Sequence, residues 1–472
     1  MTPMVRFVVP LFAASLCAGC TLTTATGFEE CDTNADCGEG RICVEHYCLP
    51  NKTPPGCGTV YGRDEPNAIP FGAALPLTPG GQLDQSEQQG LNAFVMALDE
   101  INSNEGVAGR PFVLHVCDTA GDSDKLQSMA TWLSDEKHIV TLFTSGSGQT
   151  IAASTVTVPR DILVMTATST SPAITDLQDT HGGKVGLVWR TAPSDAIQGA
   201  VLADTLLNDT RGRFTGVNKV GIVYLNDPYG NGLSFVLIDA LQQAKTVKPL
   251  SYERGGSIDT VISQLNDFDP DLTILVAFPD DAARILNAAA TTQHLVKADG
   301  HRWFFTDSAK DPALFSSVNQ LDEIDGALGS APASGALANS PAYAQFEGNF
   351  ISKYGVNPSQ YSFTANSYDA IYVTALGAAW AAQDGSGEIS GPRIAEGLTH
   401  LSSGPQLQLS PGQFISARSQ LQNGMDIDIV GTSGNLNFNA TTGEAAARIE
   451  VWSINVAGQK FDTDEVRDPP GG

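Results

Sequence analysis

Two short runs of hydroxyl-bearing residues offer the clearest chemistry in this sequence. Thr144-Ser145-Gly146-Ser147-Gly148-Gln149-Thr150 is the first and Thr166-Ala167-Thr168-Ser169-Thr170-Ser171 the second. Hydroxyls and free backbone N–H groups of this kind hold a small anionic group without any Lys or Arg. They are not equipped for covalent chemistry. No Lys follows the glycines, so the first run is not a phosphate-binding P-loop. Ser147 has no glycine two residues to either side, so it is not the nucleophile of a G-x-S-x-G elbow. The seven His are dispersed, with no H-E-x-x-H and no Cys/His cluster at ligand spacing, so neither a metal nor a cofactor is expected. Ser, Thr and Gly are also ordinary loop residues. The binding reading gains weight because two such runs stand on neighbouring elements.

Those elements follow from the flanking residues. Ile139 to Phe143 is an apolar, β-branched run that predicts a buried strand. Ile151 to Val158 predicts a short helix stopped by Pro159, and Ile162 to Met165 a second strand. Both hydroxyl runs then sit at the carboxyl ends of parallel strands, where open α/β sheets take their ligands.

The same alternation extends along the chain. Ile69 to Leu77 predicts a strand, and Asp84 opens a D-Q-S-E capping-box pattern before a helix whose apolar face carries Leu91, Phe94, Val95, Leu98 and Ile101. Arg110 to Val116 predicts the next strand. A second set of units begins near Trp189 to Asp195, with strands at Val220 to Leu225, Leu272 to Phe278 and Trp303 to Phe305. The second of these runs into Pro279-Asp280 and the third into Thr306-Asp307-Ser308. The turn Asn226 to Gly232 precedes a helix through Leu233, Val236, Leu237, Ala240 and Leu241. Repeated βαβ units imply parallel sheets wound on both faces.

A length of 472 residues suggests two or three domains, and a net charge of −26 argues against nucleic acid as a partner. At the amino terminus Arg6, the apolar run Phe7 to Leu16 and Cys17-Ala18-Gly19-Cys20 have the order of an export signal. They resemble a bacterial lipoprotein signal, with Cys20 as the lipidated residue, although Cys17 stands where that box usually has Leu. Thr21, not Asp, follows Cys20, which implies outer-membrane sorting in a Gram-negative cell. Cys31, Cys37, Cys43 and Cys48 lie in a Gly- and Asp-rich segment too small for an apolar core. Two disulfides are therefore expected, in any of three pairings, with zinc as the rival reading. Cys57 and Cys117 are expected to pair with each other. Residues 49 to 66, rich in Pro and Gly, read as a linker.

Six segments then occur in a telling order: SGSGQTIAAS, TATSTSPAIT, VWRTAPSD, GIVYLNDPYGNG, ANSYDAIYV and GTSGNLNFNATTGEA. Taken together, over about residues 66 to 456, they resemble the type I periplasmic binding proteins of the leucine/isoleucine/valine family. That resemblance implies an α/β fold of two doubly wound parallel-sheet lobes joined by a three-strand hinge, after a small disulfide-rich module. The corresponding division is a signal peptide at 1–20 and a Cys-rich module with linker at 21–65. Lobe one takes 66–191 and 332–441, and lobe two takes 192–331 and 442–472 with the tail. Crossovers are placed near Arg190, Ala331 and Thr441.

The resemblance also implies a site. Contacts to a ligand carboxylate fall on Ser147 or Gln149 and on the Ser169-Thr170 turn, and the carbonyl facing an ammonium on Thr168. Asp307 would pair with the ammonium, while Tyr229 and Phe278 would be the aromatic residues of the second lobe. Leu83 stands where an aromatic often covers the ligand. Asp307 could instead cap the following helix, and Tyr229 could pack between lobes without meeting a ligand. The expected function is binding, not catalysis: capture of an amino acid or similar small amphoteric molecule by a lipid-anchored protein, with an ABC permease as possible partner. A ligand-sensing surface subunit on the same fold is the alternative.

Overall fold

The computed structural model describes residues 29–334, 340–383 and 388–470. The signal segment and Cys20 lie outside the described residues. Contacts divide the chain at Thr53. In the first unit a hairpin of β1 (Arg41–Val44) and β2 (Tyr47–Pro50) is tied by disulfides Cys31–Cys43 and Cys37–Cys48. This selects one of the three possible pairings. It also removes the zinc reading, since a sulfur in a disulfide is no thiolate ligand.

The second unit opens with β3 (Cys57–Gly62). Sequence reads this stretch as linker, yet it is an antiparallel edge strand on β5, held by the Cys57–Cys117 disulfide. An edge strand with one neighbour and an exposed outer face needs little apolar content, so Gly and polar residues serve. Chain-entropy reasoning gives roughly 4 kcal/mol for closing a loop of this length, the bridged residues being 60 apart. Substituting both Cys57 and Cys117 with Ala is expected to cost about 2–4 kcal/mol in urea unfolding. A loss well under 1 kcal/mol would mean that the strand is held by its ladder alone.

Lobe one is then built in order. β4 (Ile69–Leu75), α1 (Gln85–Ser103), β5 (Phe112–Asp118), α2 (Ser123–Lys137), β6 (Thr141–Thr144), α3 (Ser147–Thr157), β7 (Leu163–Thr166) and β8 (Val188–Arg190) follow one another. Lobe two continues with α4 (Asp195–Leu207), β9 (Lys219–Leu225), α5 (Pro228–Leu241), β10 (Thr246–Tyr252), α6 (Asp259–Phe268) and β11 (Leu272–Val276). Next come α7 (Pro279–Ala289), β12 (Arg302–Phe305), α8 (Ala313–Ser317) and β13 (Leu328–Pro332). The chain returns with α9 (Pro341–Tyr354), α10 (Thr364–Ala381) and α11 (Gly391–Leu398), then β14 (Gln406–Gln408), α12 (Pro411–Gln422) and β15 (Asp428–Val430). Four strands end it: β16 (Phe438–Asn439), β17 (Glu444–Ala445), β18 (Ile449–Asn455) and β19 (Lys460–Arg467).

Two large sheets result, ordered β16-β17-β8-β7-β6-β4-β5-β3 and β10-β9-β11-β12-β13-β18-β19. Their central strands are parallel, as is the edge pair β10-β9, while β3, β16, β18 and β19 run antiparallel to their neighbours. The chain passes between the sheets after β8, after β13 and between β17 and β18. The central strands are buried on both faces, which explains runs such as LVMT and LTILV with no polar alternation. In lobe one Phe71, Phe94, Phe112 and Phe143 form a continuous aromatic seam at ring separations of 4.8–5.4 Å. Among the described residues no helix is long and apolar enough to cross a membrane.

Two helices begin earlier than sequence predicts, and both changes shape the site. α3 starts at Ser147, not Ile151, because Gly146 turns the chain at φ 84° directly off β6. α5 starts at Pro228, inside the stretch expected to be a turn. Asp227 caps it by accepting the Gly230 N–H, and Pro228 fits the first turn, where its missing N–H costs nothing. Gly230 is required there. A Cβ would lie 2.0 Å from the Leu225 carbonyl oxygen.

Candidate functional site

Strand ends from both lobes converge on one cleft, whose open and enclosed space together is about 840 Å³. Lobe one contributes the end of β6, Thr168 after β7, and the first turns of α1. Lobe two contributes Tyr229, Phe278, Asp307 and Ser308, and the segment Ser362 to Ser367 leading into α10 closes one side. The lobes touch at the rim, where the Ser171 hydroxyl donates to the Pro228 carbonyl at 2.7 Å.

The lobe-two wall is a fixed polar constellation. Asp307 Oδ1 accepts from the Tyr229 hydroxyl at 2.8 Å and from Gln198 Nε2 at 2.9 Å. Thr306 and Ser308 hydroxyls lie 2.9 and 3.0 Å from the same phenol oxygen, and Ser362 Oγ donates to the Asp307 carbonyl at 2.7 Å. The carboxylate therefore does not cap a helix; Thr306 stands at the N-cap of the short 3-10 turn that Asp307 begins. Burial pushes the Asp307 carboxyl up to about 6, and the bonds from Tyr229 and Gln198 restrain it there. Asp195, fully buried at the start of α4, is pushed well above the carboxylate range by burial and then by the Asp307 charge. Burial thus opposes ionisation of both neighbouring carboxyls, and the Asp307 charge opposes that of Asp195 further. Tyr229 is likewise raised by burial and by these acids, so it stays a hydrogen-bond donor.

Removing the phenol oxygen should leave Asp307 short of one donor. Tyr229→Phe is expected to weaken binding of an amine ligand by about tenfold, the worth of one hydrogen bond to a charged group, in calorimetric titration. Unchanged affinity would make Tyr229 a packing residue only.

The lobe-one wall differs from expectation. Ser147 and Thr168 line the cavity, whereas Gln149, Ser169 and Thr170 do not. The early start of α3 turns Gln149 into the lobe, where its Oε1 accepts from Thr119 Oγ1 at 2.8 Å. Ser169 Oγ is taken up by Thr150 and Thr166 at 2.7 and 2.8 Å. Thr170 is buried, and its carbonyl accepts the Asp195 N–H at 2.7 Å. Several hydroxyls that read as anion donors thus bond one another and tie β6 to β7.

Other lining residues escape a sequence reading. Glu87 looks like the second half of a capping box, and Asp84 does accept the Glu87 N–H at 3.1 Å. The Glu87 carboxylate, however, reaches across to Ser145 Oγ at 2.5 Å and lines the cavity. Phe94 reads as an ordinary core position of α1, and Phe363 carries no motif; both line the cavity. Leu83, by contrast, is exposed to solvent and lines nothing there. The one available signal for Glu87 was position, since the turn from β4 into α1 lies at a strand carboxyl end.

The sequence profile of the periplasmic binding proteins matches residues 68–434. The chain belongs to that family. Among similar proteins is a chemotactic signal transduction system substrate-binding protein, BasB, of Halobacterium salinarum, 25% identical over 79% of this chain and 84% of its own. Another is the Leu/Ile/Val-binding protein BraC3 of Rhizobium johnstonii, 30% identical over 35% of this chain and 42% of its own. Of solved structures, the leucine-binding protein LivK of Thermotoga maritima superposes with a TM-score of 0.68 at 19% identity, covering 85% of this chain and 99% of that one. The isoleucine complex of LivJ from Streptococcus pneumoniae gives 0.65 at 15%, with 85% and 99% covered. At these identities the likeness is one of fold: the type I arrangement of two parallel-sheet lobes. As a periplasmic binding protein the chain binds solutes and is not an enzyme.

Proposed function

We propose that this protein is an extracytoplasmic, lipid-anchored receptor that captures an amino acid, or a similar small amphoteric molecule, between two closing lobes for ABC-type import. The observation that supports it most is the Asp307–Tyr229 pair at the cavity wall, with a carboxylate ionisable near neutrality and fixed by two donors. An ammonium placed there gains a charge partner when the lobes exclude water. Closing lobes would also form the surface that a permease reads.

A thermal-shift screen of the amino acids on the chain lacking residues 1–20, confirmed by calorimetry, tests the reading. Stabilisation by one or a few of them is expected. No response to any amine-bearing compound would sink it. Cys20 as the lipid site is tested separately: Cys20→Ser should leave the membrane fraction, and retention there would refute the anchor.

A sensing role on the same fold is favoured by the relationship to BasB, which carries a chemotaxis name. An outer-membrane address, expected from Thr21 after Cys20, would point the same way, because a short tether cannot reach an inner-membrane permease.

A further inference from the structure

The cavity is lopsided in charge. Asp84, Glu87 and Asp307 line it, and among the described residues no Lys or Arg does. Arg254, which attracts both Asp84 and Glu87, lies in the adjoining groove beside Asp227 and stacks on Phe278 at 4.2 Å. Asp280 and Asp311 add further negative charge beside Asp84. One cation among so many carboxylates leaves the excess for something else to balance.

Glu87 is the informative residue. Its Oε1 accepts from Ser145 Oγ, and among the described residues no second donor reaches its carboxylate. It stands on lobe one, while Asp307 stands on lobe two. Leu91, Phe94, Phe278 and Phe363 supply apolar wall, beside uncharged hydroxyls such as Ser147, Thr168, Ser308 and Thr364. A neutral amino acid would pair with Asp307 and leave Glu87, half-buried beside Asp84, without a cation of its own; only a ligand with a second positive charge makes use of its ionised form.

Resting on the solute-binding reading above, we propose that the ligand carries two positive charges. One amine pairs with Asp307 and Tyr229, and a second amine or guanidinium pairs with Glu87, with Asp84 behind it. An apolar chain joins them along the aromatic walls. The class is a small dication, either a basic amino acid or a diamine.

In the absence of a counter-cation, burial and the Asp84 charge push the Glu87 carboxyl up to about 8, against the opposing pull of Ser145 and Arg254. A second ligand cation must displace that proton. Binding of a dication at pH 7 is therefore expected to release protons, whereas a neutral amino acid has no such effect at Glu87.

The experiment is calorimetric titration of the full chain after signal removal with leucine, lysine, ornithine and 1,4-diaminobutane. It is run at pH 7 in two buffers of different ionisation heat, on wild type and Glu87→Gln. Lysine, ornithine or diaminobutane should bind at least tenfold tighter than leucine and release a proton. Glu87→Gln should weaken that ligand at least thirtyfold and abolish the release. The carboxylate-free diamine against lysine separates the two sources. Leucine binding tighter than every dication, or dication binding without proton release, overturns the inference while the solute-binding reading stands. No binding by any of the four overturns the inference, while the amino-acid reading is then decided by the thermal-shift screen. The proton count on wild type decides even if the variant does not fold.

Discussion

Asp307→Asn is expected to weaken binding of the amine ligand by about two to four decades. Removing one partner of a buried charge pair costs about 3–5 kcal/mol, and each 1.4 kcal/mol is tenfold. The substitution keeps the side-chain volume and leaves an oxygen for Tyr229 to donate to, so the wall should persist. What is lost is the charge, and the new amide nitrogen brings two donors to a place where the ligand also donates. The wild-type pH profile carries the same argument. The carboxyl sits at about 6 because burial raises it, and only its ionised form attracts an ammonium. For a ligand with a single ammonium, affinity should therefore fall toward tenfold per unit below about pH 6, as protons compete for the Asp307 carboxylate; a dication adds a second dependence, from Glu87, up to about pH 8. Calorimetry on the folded variant and across pH checks both. If Asp307→Asn binds as well as wild type, the ligand has no ammonium at this wall.

Much of the fold could be read because its signals are local and redundant. The apolar runs at β6, β7 and β11 cannot be accommodated except as buried strands, and Pro, Gly and Asp mark the turns between them. The Cys57–Cys117 bond followed from pairing the two cysteines left over beyond the Cys31 to Cys48 cluster. β3 was missed for the opposite reason: an edge strand is specified by its neighbour β5 and a disulfide, not by its own composition. In the site, residues set by a strand end were legible, so Asp307, Tyr229, Phe278, Ser147 and Thr168 come together as expected. Gln149, Ser169 and Thr170 were not separable from them by type. Whether a hydroxyl faces a cavity or a neighbouring strand depends on a helix start shifted by four residues, from Ile151 to Ser147. Glu87 was hidden by a competing role, because D-Q-S-E satisfies a capping pattern whether or not the acid points back to the cap.

The Ser169-Ser171 turn that follows Thr168 is held from behind, and breaking that support should cost about 3–5 kcal/mol of stability. Arg190 is 1% exposed, at the end of β8 where the chain leaves for lobe two. Its guanidinium donates to the Ser169 and Ser171 carbonyls at 3.2 and 2.9 Å and to Thr175 Oγ1 at 2.9 Å, and it pairs with Glu444 on β17. One planar cation thus joins two crossover strands to the turn next to the cavity, a task the point charge of a Lys cannot perform. Arg190→Met keeps an apolar stem of similar reach but strands two carbonyls and an acid. A loss of about 3–5 kcal/mol is expected in urea unfolding, with weaker ligand binding because the Thr168 turn and the Ser171–Pro228 contact lose their backing. Adding Glu444→Met should recover part of the stability, since it removes the uncompensated charge, but not the binding, since the carbonyls stay unpaired. A single variant within about 1 kcal/mol of wild type would mean the strand pairing alone holds the hinge. Full recovery of binding in the double variant would mean that Arg190 acts on the turn only through Glu444.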